Sequence, residues 1–392
     1  ECSENRYSVT DACRGCIAHR CQAICPVGAI TFENHKAKIN SEKCIKCGIC
    51  MKECPYNAIA ESQPPCIRGC KAKAISLDED KKVKIDNEKC INCGACVYEC
   101  PFGAIVDKSY LLGAIKLLNE SDNGKKYKVY AAIAPSIASQ FNCGKIGQIV
   151  SGIKKLGFQS VIEVALGADI LAYKEAKELA EKGFLLSSCC PSFVKYVEIN
   201  FPDMVKHISH NVSPMIEIAK LIKKTDKTAK VIFIGPCIAK KKEFKKKEVL
   251  GIVDCVLTFE ELQAFFDGMG IKVKDLPETA LNNASFYGRS FAKNGGVASA
   301  IAHVLKEKGV DFEMQPEICD GIEQCKIALL KASKGKLEKN FIEGMACEGG
   351  CIGGPGCSTH GLRRRADVDN FAKQALESTM KESLKTLICS AK

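Results

Sequence analysis

Five cysteines stand in settings that suggest chemistry rather than packing: Cys189, Cys190, Cys237, Cys347 and Cys351 are far apart and lie in apolar, Gly- and Pro-rich segments. A second set is crowded. Fifteen of the 26 cysteines fall in the first hundred residues, in dense C-x2-C runs. Thiolates in such runs are iron-sulfur ligands, and a dense set followed by a scattered one fits cluster wiring that leads to one buried redox site.

A fourfold repeat organises the dense set. Each unit ends in a cysteine and closes on Ala-Ile: CPVGAI from Cys25, CPYNAI from Cys54, CKAKAI from Cys70 and CPFGAI from Cys100. These cysteines are 29, 16 and 30 positions apart, so the first unit pairs with the second and the third with the fourth. In two-cluster ferredoxins the first three cysteines of a run hold one cluster and the fourth reaches to the other. That rule assigns Cys13, Cys16, Cys21 and Cys54 to one 4Fe-4S cluster, and Cys44, Cys47, Cys50 and Cys25 to its partner.

The second pair is incomplete. Cys90, Cys93 and Cys96 form a third cluster with Cys70, whereas Cys66 and Cys100 alone cannot close a fourth. Two to three clusters are therefore expected beside the buried site, with Cys2 a spare thiol and Cys66 and Cys100 left without a role. Tetrahedral zinc also uses C-x2-C pairs, but seldom triplets with a proline-flanked fourth cysteine.

Past Ile105 the pattern changes to the elements that must position the scattered cysteines. Short apolar runs at Val129 to Ile133, Ser160 to Val164 and Val231 to Ile234 alternate with helical stretches at Asp169 to Glu181 and Met215 to Lys224, which indicates an α/β domain. Three loops follow apolar runs: Ala134-Pro135-Ser136, FLLSSCCPSF around Cys190, and VIFIGPCIAK around Cys237. Ligands bind outside the carboxyl ends of parallel strands, so these loops are expected to converge. In EGMACEGGCIGGPG, the four-residue spacing of Cys347 and Cys351 predicts a helical turn with both thiolates on one side. Gly349, Gly350, Gly353 and Gly354 are read as letting backbone approach a bulky inorganic group. Cys143, Cys255, Cys319, Cys325, Cys357 and Cys389 read as buried small hydrophobes.

Composition bounds the remaining classes. At 392 residues and 46% hydrophobic content, the chain is expected to fold into two or more domains, divided here as 1–110 and 111–392. No run reaches the roughly 18 apolar residues of a membrane span, and residues 1 to 30 lack the apolar stretch of a secretory signal, so a cytoplasmic protein without a membrane partner is expected. The formal charge of +11 is unaccompanied by an aromatic-basic recognition motif, which argues against nucleic acid. The lysine run from Lys240 to Lys247 reads mostly as a solvated helix face.

SSCCPSF (Ser187 to Phe193), GPCIAKKKE (Gly235 to Glu243) and EGMACEGGCIGG (Glu343 to Gly354) resemble, in order, the three signature loops of the FeFe-hydrogenase large domain. The resemblance covers residues 125 to 365 and implies a two-lobed α/β catalytic domain behind an α+β ferredoxin-like double iron-sulfur domain. It implies that Cys190, Cys237, Cys347 and Cys351 hold the cubane of an H-cluster. Cys351 would also bridge to a diiron subsite bearing carbonyl, cyanide and azadithiolate. It implies that Cys189 passes a proton to that bridging amine, that Lys240 hydrogen-bonds a cyanide, and that Ala134, Pro135, Ser136, Pro236 and Met345 line the diiron pocket. Glu175, Glu178 and Ser209 align with a proton relay from solvent. Two carboxylates one turn apart are otherwise an ordinary solvated helix face.

The chain also departs from the family pattern. Ser192 and Phe193 replace a common Gly-Trp after Pro191, Gly235 stands where methionine is usual, Met215 where glutamine is usual, and the third loop ends GGPG. These features imply a divergent, compact subgroup. The implied activity is reversible reduction of protons to molecular hydrogen, with ferredoxin or a similar carrier supplying electrons and maturation proteins delivering the diiron unit. The alternatives are a low-turnover hydrogen sensor with the same cofactor and a non-enzymatic iron-sulfur scaffold.

Overall fold

The computed structural model describes residues 6–80, 82–141, 144–361, 364–377 and 379–389, with the side chains of the last helix followed to residue 384. Cys2, Cys143 and the Cys389 side chain lie outside the described part. Two compact units divide at Glu1–Asp86 and Asn87–Lys392. The fourth cysteine repeat, grouped by sequence with residues 1–110, therefore belongs to the larger unit.

The smaller unit is built from short antiparallel ribbons: Tyr7–Val9 with Ile59–Glu61, Ile30–Glu33 with Lys36–Ile39, and Ile75–Leu77 with Val83–Ile85. Tyr7, Cys21, Ile30, Ala37, Cys50 and Ile59 make its small core. The repeat has one local geometry. The residue three after each closing cysteine is left-handed, at Gly28, Asn57, Lys73 and, in the larger unit, Gly103, with φ of 61, 50, 53 and 60°. Glycine and asparagine accept that conformation readily, lysine less so. The turn points the following alanine amide back at the sulfur: Ala29, Ala58, Ala74 and Ala104 donate to Cys25, Cys54, Cys70 and Cys100 Sγ at 3.3, 3.4, 3.2 and 3.3 Å.

In the larger unit two parallel sheets carry the architecture. One runs Cys255–Thr258, Lys230–Gly235, Val129–Ile133, Ser160–Glu163. The other runs Pro316–Asp320, Phe341–Met345, Leu185–Leu186. Central strands such as Val129–Ile133 and Phe341–Met345 are buried along nearly their whole length, as strands covered on both faces must be. The helix Val164–Lys182 packs against Pro214–Thr225 and Gly296–Glu307, with Ala165, Leu171, Ala172 and Leu179 fully buried. Glu163 at its start is locked by buried Arg289, whose Nε and Nη2 donate at 2.7 and 2.8 Å.

Two local expectations are corrected. The lysine run is solvated at Lys242, Lys245, Lys246 and Lys247, but its helix covers only Lys240–Glu243, and both Lys240 and Lys241 are buried. Lys241 is held by Asp107 and Glu261 at 2.5 and 2.7 Å, so a partner set far away in sequence draws it inward. Cys347 and Cys351 do not share a helical turn. The chain passes through left-handed Gly349 and Gly350 into a 3-10 turn at Gly350–Gly353, because successive positive-φ residues cannot continue a right-handed helix.

Candidate functional site

Four strand ends meet at one cavity. Ala134-Pro135-Ser136 follow Val129–Ile133, Pro236 and Cys237 follow Lys230–Gly235, Ser187 to Cys190 follow Leu185–Leu186, and Ala346 to Cys351 follow Phe341–Met345. All lie at carboxyl ends of parallel strands, where helix-capped sheets open crevices. The cavity holds about 90 Å³. Cys190, Cys237, Cys347 and Cys351 line it together with Cys189, Lys240, Ala134, Pro135, Ser136, Pro236 and Met345. Cys190, Cys237, Cys347 and Cys351 surround the space without converging on one point: among the described residues no three His, Cys, Asp or Glu side chains could hold a single metal ion. A ring of thiols around a void suits a polynuclear cluster better than one zinc with sulfur at about 2.3 Å.

The loops that form the walls are held by close backbone packing. A Cβ on Gly354 would lie 2.7 Å from the Pro236 carbonyl oxygen, so glycine here lets the third loop press against the Cys237 loop. The glycines expected to admit an inorganic group thus serve turns and loop contacts as well. From the fourth cysteine repeat, Cys93 also lines the cavity. Its neighbour Gly94 packs so tightly against Ile238 and Pro355 that an added Cβ would lie 2.6 and 2.7 Å from them.

Polar groups at the cavity are few and specific. Lys240 Nζ donates to Glu243 Oε2 at 2.6 Å and to the Cys189 carbonyl at 3.3 Å. Burial works against the Lys240 charge, yet Glu243 and nearby Cys237 hold its pKa above the ordinary value. Ser136 is fully buried, lines the cavity, and has no protein partner for its hydroxyl. An orphaned buried hydroxyl is unfavourable unless something else accepts its bond. Burial pushes the Cys237 thiol up to about 11 and raises Cys189, Cys347 and Cys351 further. Burial therefore disfavours bare thiolates at Cys237, Cys347 and Cys351, and a bound metal cluster is what would stabilise the deprotonated ligands.

Acidic and hydroxyl side chains form two hydrogen-bonded groups, one of them next to Cys189 in sequence. The buried Glu175 Oε1 accepts from Ser188 N and Oγ at 3.1 and 3.0 Å, while its Oε2 has no partner. Desolvation raises Glu175 to about 7. Ser209 Oγ donates to Glu178 Oε2 at 2.9 Å, and Asn211 Nδ2 bridges both at 3.1 and 2.8 Å. Burial tends to raise Glu178, but Lys182, the His210 amide and Ser209 outweigh it and bring the carboxyl below its usual value. Lys182 and the exposed His210 ring place this end at the surface.

The dense cysteines form two more rings in the smaller unit. Cys13, Cys16, Cys21 and Cys54 line one cavity of about 20 Å³, and Cys25, Cys44, Cys47 and Cys50 line another of about 20 Å³. Cys70 belongs to the smaller unit and Cys90, Cys93 and Cys96 to the larger. Cys255, Cys319, Cys325 and Cys357 are buried in core positions. Three residues at the site were not legible in sequence. Ser188 is hidden inside a Ser-Cys run, and Glu343 is buried to cap the Gly296–Glu307 helix through the amides of Gly295 and Ala298. Phe233 lines the cavity from mid-strand. Only Glu343 carried a signal, a charge inside an apolar strand.

Residues 127–355 match the family described as iron only hydrogenase large subunit, C-terminal domain, and residues 37–60 and 83–106 match the 4Fe-4S binding domain. The chain belongs to the iron-only hydrogenase family and binds iron-sulfur clusters. It is 29% identical to the periplasmic [Fe] hydrogenase large subunit of Nitratidesulfovibrio vulgaris, over 82% of this chain and 86% of that one. It spans 50% of the length of two further hydrogenase relatives, from Clostridium pasteurianum and Solidesulfovibrio fructosivorans. The cytosolic Fe-S cluster assembly factor NAR1 of Kluyveromyces lactis is 37% identical over 24% of this chain and 20% of its own. Among solved structures, [FeFe]-hydrogenase HydA1 from Chlamydomonas reinhardtii superimposes with a TM-score of 0.59 at 19% identity, over 71% of this chain and 94% of that one. The fold is thus that of the FeFe-hydrogenase catalytic domain with a ferredoxin-like region before it. Among the described residues no helix is long and apolar enough to cross a membrane.

Proposed function

We propose that this chain reversibly reduces protons to molecular hydrogen at an H-cluster held in the larger cavity. The observation that carries the reading is a pair of hydrogen-bonded groups, Ser209 with Glu178 and Ser188 with buried Glu175, the second next in sequence to Cys189; a proton would cross between them to the unpartnered Glu175 Oε2. When bound, the H-cluster supplies the site at which two electrons and two protons combine. Cys190, Cys237, Cys347 and Cys351 would hold its cubane, with Cys351 also reaching the diiron subsite. The Lys240 ammonium is placed for a charge-assisted bond to an anionic ligand such as cyanide, and the free Ser136 hydroxyl offers a second donor. Ala134, Pro135, Pro236 and Met345 exclude water from that end.

Two carboxylates with opposite shifts divide the proton work. Glu178, kept ionised by Lys182, receives protons from the surface. Glu175, raised to about 7, both accepts and releases them near neutral pH, which is where a general acid-base group is most effective. Cys189 carries the proton the last step. Electrons would arrive through the N-terminal clusters from ferredoxin or a similar carrier, with Cys93 beside Cys347 as the last protein contact before the cavity. Maturation proteins would deliver the diiron unit, and the cytoplasm is the proposed compartment. A catalytic protein loaded with a synthetic diiron complex is expected to exchange H2 with D2O to HD without added donor; no exchange above buffer would refute the reading.

The similarity to an iron-sulfur assembly factor favours one alternative, a non-enzymatic scaffold. A scaffold has no use for a buried carboxylate at about 7 held beside Ser188. It would bind clusters yet show no HD exchange.

A further inference from the structure

The wall of the cavity nearest Pro236 has an unusual construction. Gly235 ends its strand with no side chain, while Phe233, two residues earlier, points to the same face as strand periodicity requires. The Phe233 ring is 3% exposed and lines the cavity. A Cβ built on Gly235 would lie 2.5 Å from Phe233 Cζ, 2.6 Å from Cε1 and 3.1 Å from Ala134 Cβ. The aromatic ring therefore lies over the glycine, in the volume that a side chain at 235 would occupy. Met215, buried on the facing Pro214–Thr225 helix, lines the cavity too.

We infer that Phe233 and Gly235 act as one steric unit: the Phe233 ring, rather than a side chain at 235, is the wall that positions the carbonyl- and cyanide-bearing diiron subsite and limits which small gases reach it. The inference rests on the proposed hydrogenase reading, because it assumes that the diiron unit sits at the Ala134, Pro236 and Lys240 end. Phe233 is a positioning residue. It offers no hydrogen bond and no proton, only a rigid apolar surface whose place is fixed by close packing, and interiors packed at crystal density transmit such changes directly. Adding a side chain at 235 must displace the ring into the cavity or distort the strand, since the contacts below 3 Å are to the body of an aromatic ring. Removing the ring must leave a void beside the subsite.

The test loads anaerobic full-length protein, already carrying its cubanes, with a synthetic diiron complex and follows carbonyl and cyanide infrared bands. Wild-type protein without any such bands would sink the hydrogenase reading itself. If wild type loads, Gly235→Met is expected to load at about a tenth of its level or less, and Phe233→Ala/Gly235→Met to recover to within about twofold. Phe233→Ala alone should load, with shifted or broadened carbonyl bands and roughly tenfold tighter inhibition by carbon monoxide. Cubane content by electron paramagnetic resonance separates misfolding from failed loading. Should Gly235→Met lose its cubane, Gly235→Ala, one methyl larger than wild type, takes its place with an expected threefold drop. Normal loading of either single variant at 235, no recovery in the double variant, or unchanged bands and inhibition in Phe233→Ala would overturn the inference.

Discussion

The two cysteine populations solve different physical problems. In the smaller unit each closing thiol is tied by a backbone amide four residues on, at 3.2 to 3.4 Å, and the rings enclose about 20 Å³ each. Ligand placement there is a property of short segments. In the larger unit the four thiols come from loops separated by up to about 160 residues, and they meet only because two parallel sheets present their carboxyl ends to one cavity of about 90 Å³. Local geometry is enough to arrange the first kind of thiol ring; the second needs the whole fold.

That contrast is broken most directly by single substitutions whose effects are expected to differ in kind. Cys189→Ser should leave cluster spectra intact and lower hydrogen turnover by about 10³-fold, in the middle of the range for a positioned proton donor; retained turnover would remove Cys189 from the path. Glu175→Gln keeps the shape of the buried site and should reduce turnover by about 10²-fold, measured with the same reduced donor. Lys240→Met is expected to cut diiron incorporation severalfold, read from carbonyl band area, while leaving the cubanes. Cys70→Ser probes the relay. It should lower iron content by about one cubane and slow, without abolishing, donor-driven turnover.

Glu175 also sharpens the comparison through stability. Its folded-state value, raised to about 7 against 4.5 for a free glutamate, means that folding binds a proton between these values. The neutral carboxyl's contribution is complete below pH 4.5 and is lost as pH rises through 7, by at most about 3 kcal/mol. Glu175→Gln should therefore gain on wild type in melting temperature between pH 5 and pH 8. A constant difference across that range would show that the carboxyl is not raised.

Much of this was written locally in the chain. The apolar runs at Val129 and Val231 became strands, because five or six apolar residues between polar turns have little alternative once helices cover both faces. The Cys-x3-Ala repeat fixes its turns by left-handed Gly28, Asn57 and Gly103. What escaped reading depended on distant partners. Lys241 seemed one of many solvated lysines until Asp107 and Glu261 drew it inside. Phe233 read as one more core aromatic, since only three-dimensional packing shows that it covers Gly235. The turn between Cys347 and Cys351 looked helical by spacing, but spacing does not report the positive φ of Gly349 and Gly350.

The most direct test of the central claim is hydrogen evolution from a reduced one-electron donor by anaerobic protein whose diiron unit has been verified by its infrared carbonyl and cyanide bands. Sustained evolution that depends on those bands is the expected result. Full bands with no more than trace evolution would contradict that claim.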